Sequence, residues 1–447
     1  MTLVRRLVLC LALVSFAACS SGGGGNNPKP VTTFGHLRVI NSILDSPALS
    51  VQIGAAAQGI VSYSQASRLM TLGTGDYQLN VQYTTPGGTV QKVVDSRALT
   101  IDVDREATIL LFGTLGSVSV VALDDPDPAV AAGSTEVRFL QGANGAGSMD
   151  FYLTDAGVDI ATVAPNATVN ASAASDLATV PSGPNNRLRV TAAGSKTVLF
   201  DSGPFTLDDK ARRVFLLSDY FGPGGAAVRA VQIDDSSAST FLAEDLPAAV
   251  AVANEVVDLA GLDGYLHGVA GSPDFANVVL DSTSASQTVP AGPVDVALTT
   301  AGDPSHAVHD ASFMIGTGET QTVVVAGVDA TGHVSSRAVP ALVRPIAGMA
   351  QVRVVHASRA TPSVDFFVVA TGATPTAGKS SLSAMVLLST GTVALDPGTY
   401  DLYFTTTATV TSLAGPQPIT VDAGGIYSVF LADKVGGGTP ARIVLAD

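Results

Sequence analysis

Residues 352–368 read VRVVHASRATPSVDFFV, and the same 17-residue design occurs three more times. It reads LRVINSILDSPALSVQI from Leu37, VRFLQGANGAGSMDFYL from Val137 and VAVANEVVDLAGLDGYL from Val250. Apolar residues hold the first and third places: Leu37 and Val39, Val137 and Phe139, Val250 and Val252, Val352 and Val354. They return at the thirteenth and seventeenth: Leu49 and Ile53, Met149 and Leu153, Leu262 and Leu266, Val364 and Val368. Period-two spacing on both sides of a segment rich in Gly, Pro, Ser and Asp predicts two β-strands joined by a turn.

Two further landmarks follow in each copy. DYQLNVQY from Asp76, GPNNRLRV from Gly183, GPVDVALT from Gly292 and GTYDLYFT from Gly398 each alternate after a Gly or Pro turn. Then come LTIDVDREATILLFG from Leu99, FTLDDKARRVFLLSD from Phe205, FMIGTGETQTVVVAG from Phe313 and ITVDAGGIYSVFLAD from Ile419. Each of these ends in an unbroken apolar run: Ile109–Leu111, Phe215–Leu217, Val323–Val325 and Val429–Leu431. The copies start at 37, 137, 250 and 352, a period too long for a propeller blade or a short solenoid repeat. A unit of about 100 residues, with many short strands and no helical period, predicts an all-β fold of four tandem immunoglobulin-like β-sandwich domains. They are expected at 36–128, 136–235, 248–340 and 350–447, strung as separate beads.

The stretch 352–368, together with GTYDLYF and the third landmark, resembles the bacterial family called domain of unknown function 4397. The resemblance covers nearly all of residues 36–447 and implies immunoglobulin-type sandwiches, often in tandem on secreted or lipid-anchored proteins. Arg359 stands where the family usually has Pro, and the place of His356 is taken by Asn41, Gln141 and Asn254 in the other copies. The resemblance carries fold and location and names no activity.

The N-terminus is an address. MTLVRRLVLCLALVSFAAC places Arg5 and Arg6 before an apolar stretch from Leu7 to Ala18, too short to span a bilayer core of about 30 Å. Ala17 and Ala18 precede Cys19, and the segment resembles a bacterial lipoprotein signal with Phe16 in the usual Leu place. That resemblance implies removal of residues 1–18, lipid attachment at Cys19, and a flexible tether over 19–35. Ser20 after the Cys, with no Asp there, resembles the sorting pattern for the outer membrane of Gram-negative cells. Cys10 is the only other cysteine and falls in the removed part, so no disulfide or thiol chemistry is expected in the mature chain.

Composition narrows the partners. The chain has 447 residues, a formal net charge of -15, 14% charged residues, 45 Gly, 24 Pro and no Trp. The acidic balance argues against nucleic acid and against an anionic membrane surface. Sparse charge and abundant turn residues argue against coiled coils and helical bundles.

The candidate chemistry is thin. His306 and His309 form an HxxH between expected strands of the third unit, without the Glu of an HExxH site, and are read as surface loop residues. His356 ends a strand and is expected to bond turn backbone. Asp201-Ser202-Gly203 resembles half of an aspartic-protease turn, but Asp95-Ser96 holds the same place in the first unit, so a repeated turn is the better reading. Asp124, Asp125 and Asp127, then Asp234 and Asp235, close the first two units. They are read as solvated linker acids, with calcium at the junctions as the alternative. No GxSxG or GxGxxG occurs.

These features predict a non-enzymatic cell-envelope lipoprotein with no cofactor and no metal, held to the membrane by an N-terminal lipid and acting as a spacer, scaffold or adhesion-type binder of a protein or glycan. The alternative is a glycan-binding surface lipoprotein using exposed aromatics such as Tyr152, Tyr265, Phe367 and Tyr403. A hydrolase is the third class. Any ligand is expected at the divergent segments 54–72, 154–180, 267–289 and 370–394, read as loops joining the repeated strands, with drift of unconstrained loops as the equal alternative for their divergence.

Overall fold

The parallel pairing of first and third landmarks organises every repeat. In the computed structural model, which describes residues 33–225 and 227–446, the strand Phe34–Ile43 runs parallel to Arg105–Thr114 with Val39 opposite Ile109. Ser134–Gln141 pairs the same way with Ala211–Asp219, Ala248–Val256 with Thr320–Val328, and Ala350–His356 with Ile426–Ala432. A last antiparallel strand flanks each pair, for instance Ser117–Pro126 beside Arg105–Thr114. The expected leader 1–18, Cys19 and the tether as far as residue 32 lie outside the described residues.

A second, antiparallel sheet faces each of these. In the first repeat its order is Ala56–Val61, Leu49–Ile53, Gly75–Thr84, Val90–Ile101, and the other three follow the same plan. Eight sheets thus form four two-layer sandwiches, and the described residues contain no α-helix, only the single 3₁₀ turns Ile160–Thr162 and Asp329–Thr331. Each sandwich encloses its own core. The landmark residues at places one, three, thirteen and seventeen are buried in it, with Leu266 and Val368 half-buried at its margin. The second sandwich includes Ala238–Phe241, whose Phe241 ring lies 5.0 Å from that of Phe205.

The segments between landmarks are more than loops. Residues 54–72 supply an edge strand to each sheet: Ala56–Val61 pairs with Leu49–Ile53, and Met70–Gly73 pairs with Phe34–Ile43. Segments 154–180, 267–289 and 370–394 likewise carry edge strands, such as Ala167–Val169, Phe275–Val279 and Leu382–Val386. Their backbone amides belong to the ladders, which corrects their reading as loops.

The sandwiches are not beads. The apolar run in each third landmark lies on a strand buried on both faces, the burial that unbroken apolar runs signal. Ile109 and Leu111 point into the first core, whereas Leu110 and Phe112 join Leu140, Val214, Leu216, Val231 and Ile233 of the second repeat. In the same way Val324 and Ala326 of the third repeat meet Val355, Phe430, Ala432 and Val444 of the fourth. The repeats therefore pack back to back as two pairs, first with second and third with fourth. Contact between the first two is close enough that a Cβ on Gly142 would clash with Ser42 Oγ. Ser42 Oγ donates to the Gly142 carbonyl at 3.1 Å.

The pairs also touch each other. Arg344 Nη1, in the segment between third and fourth repeats, donates to the carbonyls of Leu44 and Ser46 at 3.1 and 3.0 Å. Tyr220 Oη donates to the Gly318 carbonyl at 2.9 Å, and Gly87 N donates to Asp396 Oδ2 at 2.9 Å.

Candidate functional site

The fifth place of the first landmark is polar in all four repeats and lies where the parallel strand turns out of the sheet. Asn41 Oδ1 accepts from Ile43 N at 3.0 Å, Gln141 Oε1 from Ala143 N at 2.9 Å, and Asn254 Oδ1 from Val256 N at 3.0 Å. All three are buried, and each amide group donates back across the turn, Asn254 Nδ2 to the Val278 carbonyl for example. His356 fills this place in the fourth repeat. It is fully buried, its Nε2 lies 3.3 Å from Thr361 Oγ1, and burial pushes its pKa down, so the ring is neutral. Besides this turn hydroxyl, the backbone of Thr361 in the same turn acts on the ring.

Ser358 and Asp433 lie beside His356, but the hydrogen bonds run the wrong way for a hydrolase. Ser358 Oγ donates to Asp433 Oδ1 at 2.5 Å, and Asp433 also accepts from the amides of Arg359 and Ala360. A nucleophilic Ser must give its proton to a base, and its oxygen must be reachable. Here the hydroxyl is fully buried and the turn consumes its proton.

A second repeated polar place went unread in the sequence: the fourteenth, Asp150, Asp263 and Asp365, with Ser50 in the first copy. Asp365 Oδ1 accepts from Ala384 N at 2.8 Å and Oδ2 from Ala408 N at 2.9 Å. Asp263 accepts from Asn277 N and Gly302 N, and Asp150 from Thr168 Oγ1 and Gly194 N. Ala384, Ala408 and Asn277 have φ of 51°, 60° and 46°. This carboxylate thus pins residues that side chains ordinarily hold out of the left-handed region. Its role is to brace turns.

The remaining candidates disperse. His306 and His309 lie within the strand Asp303–Ile315, not in a loop; His306 Nε2 meets Asp329 Oδ2 at 2.7 Å and His309 Nε2 meets Ser336 Oγ at 3.0 Å. Asp201 pairs with Arg187 Nε at 2.5 Å, and Asp95 with Lys92 and Ser96. Ser96 and Gly203 both have positive φ beside bulges in their ladders, so this is a repeated bulge. Tyr152, Tyr265, Phe367 and Tyr403 are all buried, which removes them as sugar platforms. Tyr152 is instead covered by Lys196, whose Nζ lies 4.6 Å from the ring centre.

The junction acids are not a free linker. Among the described residues no group of three His, Cys, Asp or Glu is placed to hold a metal. The acids meet arginines between the first two sandwiches. Arg38 Nη2 bonds Asp235 at 3.0 Å and its Nε lies 3.3 Å from Glu106; Arg212 bonds Asp127 at 2.8 Å and Glu136 at 2.7 Å; Arg138 bonds Asp125 at 2.7 Å.

One constellation is left unspent. A cleft of about 490 Å³ opens where the first, second and third repeats meet the segment leading to the fourth. Tyr63, Phe221, Arg229, Leu242, Glu319 and Arg344 line it. Tyr63 is 6% exposed, and both guanidinium groups lie over its ring, Arg344 at 4.9 Å and Arg229 at 5.7 Å from the centroid. Phe221 meets the same ring edge-on at 6.1 Å. Burial, then the charge of Asp219, pushes the Tyr63 hydroxyl up to about 12. Burial pushes both arginines down, and Arg229 adds to the effect on Arg344. Neither arginine takes part in an ion pair among the described residues. The lining residues come from four separate segments spread between Ser62 and Arg344, so no local pattern in the sequence marks them.

Two stretches of the chain, residues 35–152 and 248–367, match the family model described as domain of unknown function DUF4397. Together they cover more than half of the chain. The chain belongs to the DUF4397 family. Each DUF4397 match begins in the first strand of an odd-numbered sandwich and ends in the second strand of the next one, so it takes in strands on both sides of a back-to-back interface. No curated protein matches the chain. Among solved structures, the Bacillus anthracis TIE protein is 11% identical, with 90% of this chain and 69% of that chain covered and a TM-score of 0.15.

Proposed function

We propose that this DUF4397 chain is a non-enzymatic envelope lipoprotein, tethered to the bacterial outer membrane through Cys19, that presents its four packed sandwiches as a binding body. One observation carries the reading: the repeated polar side chains are consumed in bracing turns, while the polar groups left over converge on the cleft between repeats. A binding site built at the meeting of several domains is a common arrangement. The direct packing of the pairs supports a block held off the membrane by its tether more than an extended spacer.

Metabolic labelling with a palmitate analogue tests the tether. The wild-type chain is expected to take up label in the membrane fraction, and Cys19→Ser is expected to lose it. Equal labelling of the two would reject the lipid anchor.

A further inference from the structure

We propose that the cleft between Arg229 and Arg344 is a binding site for a small carboxylate-bearing ligand of the uronate type, a hydroxylated ring carrying one carboxylate. The assignment rests on the reading of the chain as a binding body, and adds the chemistry of what is bound.

The two arginines carry the argument. Arg344 uses Nη1 to hold the carbonyls of Leu44 and Ser46, and Arg229 Nε lies 3.4 Å from Ser218 Oγ. Their other guanidinium nitrogens have no protein acceptor among the described residues, yet are not among the buried unpaired atoms, so solvent reaches them in the cleft. Half-buried cations without a hydrogen-bonded carboxylate are costly, and a bound anion would satisfy both. The planar fork of a guanidinium matches a carboxylate with two parallel hydrogen bonds.

Charge sets the ligand's valence. Glu319 also lines the cleft, its Oε2 accepting from Gly316 N at 2.9 Å and Gln321 Nε2 at 3.0 Å. Among the lining residues two cations face one carboxylate, and the charges of Asp219 and Asp45 also act on Arg229 and Arg344, so a phosphate dianion would meet more repulsion here than a monoanion. The walls set its body. Ser62, Thr240 and Thr317 offer hydroxyls, and Phe221, Leu242 and Val343 offer apolar surface. A cleft of about 490 Å³ is the size of small-molecule sites and too small for a folded partner.

Calorimetric titration of the full chain in detergent with D-glucuronate, D-glucose and inorganic phosphate tests the site. Saturable binding of glucuronate, with none of glucose or phosphate, is expected. Arg229→Met and Arg344→Met are each expected to weaken it about tenfold to a hundredfold. Because Arg344 also ties two repeats together, its variant is read beside Glu319→Gln, which keeps an acceptor, removes the opposing charge and is expected to tighten binding several-fold. No binding of glucuronate would overturn the proposal, as would equal binding of phosphate or unchanged affinity in Arg229→Met. None of these outcomes bears on the tether, which the Cys19→Ser labelling decides separately.

Discussion

Arg442 of the fourth sandwich grips Asp281 of the third with both terminal nitrogens, Nη2 to Oδ1 at 2.7 Å and Nη1 to Oδ2. Beside this pair sits Glu255, 1% exposed, with Oε2 lacking any hydrogen-bond partner among the described residues. Burial first, then the Asp281 charge, pushes the Glu255 carboxyl up to about 8. A carboxyl whose folded pKa lies above its unfolded value costs stability as pH rises between the two. The Glu255 contribution should therefore be fully present below about pH 4.5, and lost progressively up to about pH 8. Glu255→Gln should match the wild type near pH 4 and exceed it above pH 8 in urea-melt midpoints. Parallel curves across that range would contradict this.

Phe430 points away from the core of its own sandwich and into the contact with the third. On a free-standing domain such a side chain would face water, and its loss would change stability by less than about 0.5 kcal/mol. In the packed pair, Phe430→Ala should cost about 3–5 kcal/mol. Equilibrium unfolding of the full chain distinguishes the two values directly.

Asp365→Ala should expose the two-amide brace. Each abandoned amide costs about 1–3 kcal/mol, and the left-handed Ala384 and Ala408 lose what holds them. Hydrogen exchange should rise at both amides before it rises elsewhere in the fourth repeat. Protection unchanged at Ala384 and Ala408 would show that packing alone shapes these turns.

Glu106 lies between Arg38 and Arg212 at the contact of the first two sandwiches, 3.3 and 3.5 Å from their nitrogens. Glu106→Leu should destabilise by about 3–5 kcal/mol, because it leaves Arg38 with its charge buried and under-paired. The double change Arg38→Met with Glu106→Leu should recover most of that loss. Additive costs in the double-mutant cycle would mean that the pair is not coupled.

The sequence by itself determined the strands, their turns and the inward set of each sheet. Alternation is a local property, and four copies of one pattern repeat it: Val352 and Val354 are buried for the same reason as Leu37 and Val39. His356 was legible as a turn-bonding group, because a side chain at a strand end reaches its own turn, and Asn41, Gln141 and Asn254 at the same place play that role in the other repeats. The apolar runs such as Val429–Leu431 held more than was read from them. Their middle residue has no place in the core of its own sandwich, and an unbroken run already marks a strand covered twice.

What covers it was decided by tertiary structure alone. Leu110 meets Leu216, Asp235 meets Arg38, and Arg229 and Arg344 meet over Tyr63, each across roughly 100 residues or more. Docking of whole sheets fixes these encounters, and no spacing along the chain encodes them. For the same reason acids read as a solvated linker, such as Asp125 and Asp127, are half-buried partners of arginine, and aromatics read as exposed platforms are buried. Charge and aromaticity are visible in a sequence; the neighbour that neutralises or covers them is set by the packing of distant surfaces.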